Sequence, residues 1–178
     1  MTKIINKILI VSLAMCLLSI ASKADDKLNK SETKKPKDTE INAFMGLFDF
    51  SDHKQKATLF GLQHQNDELF RDSFLGRLSP ITGGFVTANS AFYLYTGVQA
   101  EYEIGPLKIT PSFAPGYYNY GNGKDLGYPL EFKTEVQMTL ELSDDTEFGM
   151  SYNHISNASL GTKNPGANSY MFNFLKQF

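Results

Sequence analysis

Leu130-Glu131-Phe132-Lys133-Thr134-Glu135-Val136-Gln137-Met138-Thr139-Leu140-Glu141-Leu142 changes character at every residue. The even positions are Leu, Phe, Thr, Val, Met, Leu and Leu; the odd positions are Glu, Lys, Glu, Gln, Thr and Glu. A period of two is that of a β-strand, whose successive side chains point to opposite faces. A helix would scatter the same charges around its whole circumference. The stretch is long enough to cross a bilayer as a tilted strand, greasy on one face and charged on the other.

The pattern recurs on either side. Phe92, Leu94, Val98, Ala100, Tyr102 and Ile104 share one face, opposite Gln99, Glu101 and Glu103. Leu107, Ile109, Phe113 and Tyr117 oppose Lys108, Thr110 and Ser112. At the end of the chain Tyr170, Phe172, Phe174 and Phe178 face away from Asn173 and Gln177. Eight strands are predicted, near 41–50, 56–65, 77–89, 91–104, 107–119, 128–142, 146–159 and 167–178. Eight is a common small closed barrel, and an even number returns both ends to one side.

The connections carry the same message. Gly105-Pro106 and Ser143-Asp144-Asp145 are tight, as periplasmic turns are, whereas 121–127 and 161–166 are longer and glycine-rich, as outside loops are. The segment 66–76 is too long for a tight turn and breaks the alternation of loop lengths. A soluble sandwich or lipocalin-like barrel also alternates, but it would point its apolar face inward. Against it stand the charged face of 130–142 and the aromatics clustered towards strand ends, like membrane girdles. The chain also closes an alternating strand on Phe178, an ending that resembles the signal read by the outer-membrane assembly machinery, an expected partner. The predicted fold is therefore all-β: an eight-stranded antiparallel transmembrane β-barrel of the outer-membrane type.

The remaining sequence fits export. Lys3 and Lys7 precede an apolar run from Ile8 to Ala21, and Ser22-Lys23-Ala24 offers small residues at the positions a signal peptidase reads. Residues 1–24 read as a signal peptide, 25–40 as a flexible polar periplasmic leader, and 41–178 as the barrel. The single cysteine, Cys16, falls inside the signal, so a mature chain has no thiol for disulfide, nucleophile or metal. Of 17 basic residues, Lys3, Lys7 and Lys23 leave with the signal; the other 14 face 19 acidic ones. With no basic stripe, nucleic acid is not an expected partner. Oligomeric state is not legible, and a homodimer stays open.

Chemistry is confined to few residues. The three histidines are His53, His64 and His154, and only the last has telling company, in Tyr152-Asn153-His154-Ile155-Ser156-Asn157-Ala158. On a strand His154 and Ser156 share a face, with Cα atoms about 7 Å apart. That brings an imidazole and a hydroxyl within reach, the pair that a serine nucleophile needs. Parity with Phe148, Met150 and Tyr152 turns both towards lipid, near the outer end of the seventh predicted strand. On residues alone, two polar side chains in an aromatic belt, hydrogen-bonded to headgroups or to each other, are the plainer reading of the pair.

His154-Ile155-Ser156-Asn157-Ala158, then Leu160 and Asn164-Pro165-Gly166, together with Leu126-Gly127-Tyr128-Pro129-Leu130-Glu131-Phe132, resemble the signature of the PagL family of lipid A 3-O-deacylases. The resemblance is sharp over the last fifty or so residues and architectural before them. It implies an eight-stranded outer-membrane barrel with a serine esterase site on its outer wall, acting on the lipid A of lipopolysaccharide. It implies Ser156 as nucleophile, His154 as general base and Asn164 as an oxyanion donor; the backbone N–H of Asn157, just after the nucleophile, is a second oxyanion candidate. No cofactor or metal is implied. One position departs: where the family carries a glutamate, fourteen residues after the histidine, this chain has Asn168. Its parity matches His154, and its amide oxygen can accept an imidazole N–H without supplying charge. The competing expectation is a barrel that keeps the family's surface but only stiffens the membrane or binds lipopolysaccharide.

Overall fold

The computed structural model describes residues 39–52, 55–66 and 69–178; the expected signal peptide, most of the expected leader and His53 lie outside them. The strands are β1 (Thr39–Phe48), β2 (Ala57–Asn66), β3 (Arg71–Ser73), β4 (Gly76–Thr87), β5 (Phe92–Ala100), β6 (Tyr102–Ile104), β7 (Leu107–Asn119), β8 (Leu130–Ser143), β9 (Thr146–Ser156) and β10 (Ala167–Gln177). Each long strand pairs antiparallel with its neighbours. β1 pairs with both β2 and β10, and β2 pairs with β4, so the sheet closes on itself. Among the described residues eight long strands make the barrel, with β6 continuing β5 and β3 extending one rim. The expected fold is the observed one.

Parity decides which way the wall faces. On β8 the odd residues Glu131, Lys133, Glu135, Gln137 and Thr139 are buried inside, while Leu130, Thr134, Met138 and Leu140 are exposed outside. Met45, Phe60, Leu94, Phe113, Phe148 and Phe172 continue an exposed apolar wall around the barrel. Water would not tolerate so large a contiguous apolar surface, but a bilayer requires it. The soluble reading, with its apolar core, is thereby excluded.

The interior is packed with side chains. At the end that carries the 120–129 and 157–166 loops, Phe48, Phe85, Tyr93, Tyr95 and Tyr118 form the core, with Phe48 stacked on Tyr118 at 6.0 Å and Tyr93 on Tyr95 at 5.4 Å. Further down it is polar, and many of the polar groups answer one another. Asn42 donates to Gln137 and Asn173, both at 3.0 Å. Lys133 meets Glu135 at 2.9 Å and lies 3.9 Å over the Tyr95 ring. Lys108 pairs with Glu147 at 2.5 Å. Pairing of this kind offsets the cost of burying these charges.

Where the boundaries differ from expectation, backbone geometry gives the reason. β1 begins at Thr39, because Glu40 already faces inward and accepts from Gln177 Nε2 at 3.2 Å. It ends at Phe48, because Asp49 turns left-handed (φ 50°). The expected strand 91–104 breaks at Glu101, which accepts from Gln65 Nε2 at 3.0 Å and meets Lys108 at 3.6 Å. The irregular 66–76 resolves into a small hairpin, β3 against the start of β4, turning at Phe74 and Leu75. β9 stops at Ser156, three residues early, as Ala158 (φ 52°) and Ser159 (φ 66°) swing the chain into the last outside loop.

Candidate active site

The tight turn Asp144-Asp145 starts β9 and fixes its register on both sides. Along β8 and β9, Thr134 faces His154 and Phe132 faces Ser156; along β9 and β10, His154 faces Asn168. Thr134, His154 and Asn168 thus form one polar row across three strands, all pointing out of the barrel. The next step up sets Ser156 opposite Phe132. Phe132 is stacked on Phe113 at 6.0 Å, so an apolar wall lies directly beside the serine.

The row is hydrogen-bonded. His154 Nδ1 lies 2.8 Å from Asn168 Oδ1, and the Tyr152 hydroxyl donates to the same oxygen at 2.8 Å. With an oxygen as partner, Nδ1 carries the ring proton and Nε2 is left as the acceptor, the tautomer a general base requires. The ring leans over Gly166: a Cβ there would stand 2.9 Å from its Cε1 and 3.4 Å from its Nε2. No hydrogen bond joins Nε2 to Ser156 Oγ among the described residues, and such bonds often close only once a substrate is bound. Gly166 has φ 63°, so it needs glycine for its backbone and for the space it leaves. Gly166→Val is expected to push the imidazole aside and lower any hydrolytic rate about a hundredfold. Assays of the purified, folded variant would check this.

The loop that follows is held by Asn157. Its side chain points inward, fully buried, and donates to Leu126 O at 2.8 Å and Lys163 O at 2.9 Å. Its backbone N–H donates to Asn164 Oδ1 at 3.1 Å. The Asn157 N–H, an expected oxyanion donor, is thus engaged by Asn164, while the Asn157 side chain clamps the 120–129 and 157–166 loops together. The same bond orients the Asn164 amide with its oxygen occupied, leaving its N–H2 to donate elsewhere. A salt bridge reinforces the clamp from outside, Lys163 to Asp125 at 2.7 Å. The Lys163 ammonium, and then the Gly127 N–H, hold the Asp125 carboxyl below the usual carboxylate range.

His64 is outward on β2, far along the chain from this row, and shares no contact with it. Glu147, the nearest carboxylate on β9, faces inward to Lys108 and cannot stand in for Asn168. Sequence reasoning missed two contributors. Tyr152 was identifiable from parity, two residues before His154. Phe50 was not: its N–H donates to Asn168 O at 3.0 Å and its ring packs on Tyr170 at 4.5 Å, because the chain just past β1 still runs beside β10, a neighbour fixed only when the barrel closes.

The lipid A 3-O-deacylase (PagL) family model matches residues 41–176. The chain belongs to the PagL family. Among solved structures, this PagL-family chain is similar to the crystal structure of the outer membrane enzyme PagL, with a TM-score of 0.61 and 19% identity over 78% of this chain and 99% of that one. It is also similar to a de novo designed transmembrane β-barrel, with a TM-score of 0.54 and 10% identity over 83% of this chain and 100% of that one. At such identities both likenesses speak for the fold alone. A search of curated protein sequences finds no match. With its apolar outer wall and its family, the PagL-family chain is an outer-membrane protein, as its sequence led us to expect.

Proposed function

We propose that this chain, after loss of residues 1–24 and with 25–40 as a periplasmic leader, is a serine esterase that removes an acyl chain from lipid A at the outer leaflet, at the 3-O position that names its family. The observation that carries the reading is the His154–Asn168 contact on the lipid-facing wall, one ladder step from Ser156. A water-facing substrate would have no reason to find such a pair. A membrane lipid meets it directly.

His154 Nε2 takes the Ser156 proton as Oγ bonds to the ester carbonyl carbon. The carbonyl oxygen becomes an oxyanion, for which the Asn164 N–H2 is the candidate donor. Collapse breaks the bond to the sugar oxygen, which departs with the proton from Nε2, and the acyl group stays bonded to Ser156 Oγ. Water then attacks that acyl carbon, gives a proton to Nε2, and Ser156 leaves with it, releasing the fatty acid. Throughout, the Asn168 oxygen holds Nδ1–H, and Phe132 with Phe113 supplies apolar surface for the acyl chain. Each step is complete with the chain's own groups and water.

Mass spectrometry of lipid A from outer membranes with and without the chain tests the reading. A loss of one acyl chain only in membranes that carry the folded protein is the expected result. Unaltered lipid A beside fully assembled barrel would leave the non-catalytic, lipopolysaccharide-binding barrel as the better account, a reading that the uncharged Asn168 favours.

A further inference from the structure

An amide in a triad poses a problem that a carboxylate does not. A carboxylate offers two equivalent oxygens, so any rotation leaves an acceptor beside the histidine. A carboxamide offers oxygen on one side and N–H2 on the other. Turned by half a rotation, Asn168 would donate to His154 Nδ1, and the ring proton would move to Nε2. Nε2 is the nitrogen that has to receive the serine proton, so the turned amide would silence the base. An uncharged triad therefore needs a second group that recognises which end of the amide is oxygen.

We infer that Tyr152 is that group, a positioning residue that holds the Asn168 carboxamide with its oxygen towards His154; the inference rests on the esterase reading given above. The Tyr152 hydroxyl donates to Asn168 Oδ1 at 2.8 Å, the distance of a well-formed hydrogen bond, and His154 Nδ1 lies at 2.8 Å from the same atom. The two donors occupy both lone pairs of one oxygen. A phenol is a good donor and a poor acceptor, so the turned amide would place N–H2 against a group that answers it badly. Tyr152 is able to play this part because its ring is itself fixed. It packs on Tyr170 at 5.2 Å and edge-on to Phe50 at 6.4 Å, and Phe50 is tied by its N–H to the backbone oxygen of Asn168. The loop, the ring and the amide form one closed unit on the outer wall.

Tyr152→Phe keeps the ring and its packing and removes only the donor. In the Asn168 protein it is expected to lower kcat about five- to tenfold, the worth of one hydrogen bond, with KM little changed. In an Asn168→Glu background the same substitution is expected to change kcat less than about twofold, because either carboxylate oxygen then accepts. Equal losses in both backgrounds, or no loss with Asn168, would overturn the inference, and gel mobility of unheated samples would establish that each variant is folded. Nitrogen NMR of histidine-labelled protein in micelles, with the His154 signal identified through His154→Gln, serves as a readout that needs no turnover. The ring proton is expected on Nδ1 in the original chain and shared with Nε2 in Tyr152→Phe. An unchanged tautomer would sink the inference even if the esterase reading stood. A shifted one would uphold the positioning role even if lipid A proved not to be cleaved.

Discussion

Ser156→Ala is expected to lower the rate of fatty-acid release from lipid A by on the order of a thousandfold or more, while leaving assembly of the barrel unchanged. The size follows from the role proposed for Oγ. It forms the bond to the carbonyl, and the neighbouring hydroxyls are engaged elsewhere: Tyr152 donates to Asn168 Oδ1 at 2.8 Å, on the Nδ1 side of the ring, and Thr134 Oγ1 donates to the backbone oxygen of His154 at 3.4 Å. Without Oγ only water activated by the same imidazole remains. The fold has little stake in the side chain, since Ser156 is a half-buried strand end whose hydroxyl holds no hydrogen bond among the described residues. The expected stability change is therefore within about 0.5 kcal/mol. Fatty-acid release from lipid A in mixed micelles, compared at equal amounts of folded protein, reads the effect. A residual rate within tenfold of the original would mean that Ser156 is not the nucleophile.

The fold was legible because a two-sided wall writes its pattern one residue at a time. Strand β8 has to be greasy towards lipid and polar towards a filled interior, and its parity persists without a break from Leu130 to Leu140. What escaped notice was whatever depends on a single dihedral or on the barrel's curvature. Asp49 ends β1 by a left-handed φ that few non-glycine residues adopt. Glu101 interrupts its strand to reach Lys108, a partner fixed only once the strands close. The 66–76 segment looked like a loop because its apolar residues, among them the highly exposed Phe74, follow no alternation.

The candidate site was legible to the same depth. Parity put His154, Ser156 and Asn168 on one face, and the observed register sets His154 against Asn168. Parity says nothing of loops, however, and Asn157 lies where the strand gives way to one. Its position after the nucleophile suggested a free N–H, but β9 ends there and the residue turns inward to hold Leu126 and Lys163 by their carbonyls. Contacts that span about thirty residues of chain, such as Asn157 to Leu126, leave no mark in local spacing.

Asn168→Glu is expected to raise the deacylation rate about ten- to a hundredfold. Replacing a triad carboxylate by an amide in a serine protease costs about ten thousandfold, largely because the amide imposes the wrong tautomer. Here the oxygen already faces His154 Nδ1, so that part of the loss has not been incurred. What is missing is the charge that stabilises the imidazolium once the serine proton has arrived. A hydrogen bond to a charged acceptor is about twice as strong as a neutral one, a difference of about 1.5 kcal/mol, or roughly tenfold, with more where water is excluded. A carboxylate also favours the protonated ring, so the acid limb of the pH–rate profile is expected to move to higher pH in the variant. Placing the charge here costs the barrel little, because Asn168 lies at the outer end of β10, close to the interface rather than the bilayer midplane. Rates of fatty-acid release across pH, for the original chain and the variant, decide the matter. A faster variant with a displaced acid limb would mean that this chain runs the family's chemistry on an uncharged triad. Equal rates with an unmoved limb would mean that the position opposite His154 does not limit the reaction, and that Asn168 serves the wall rather than the chemistry.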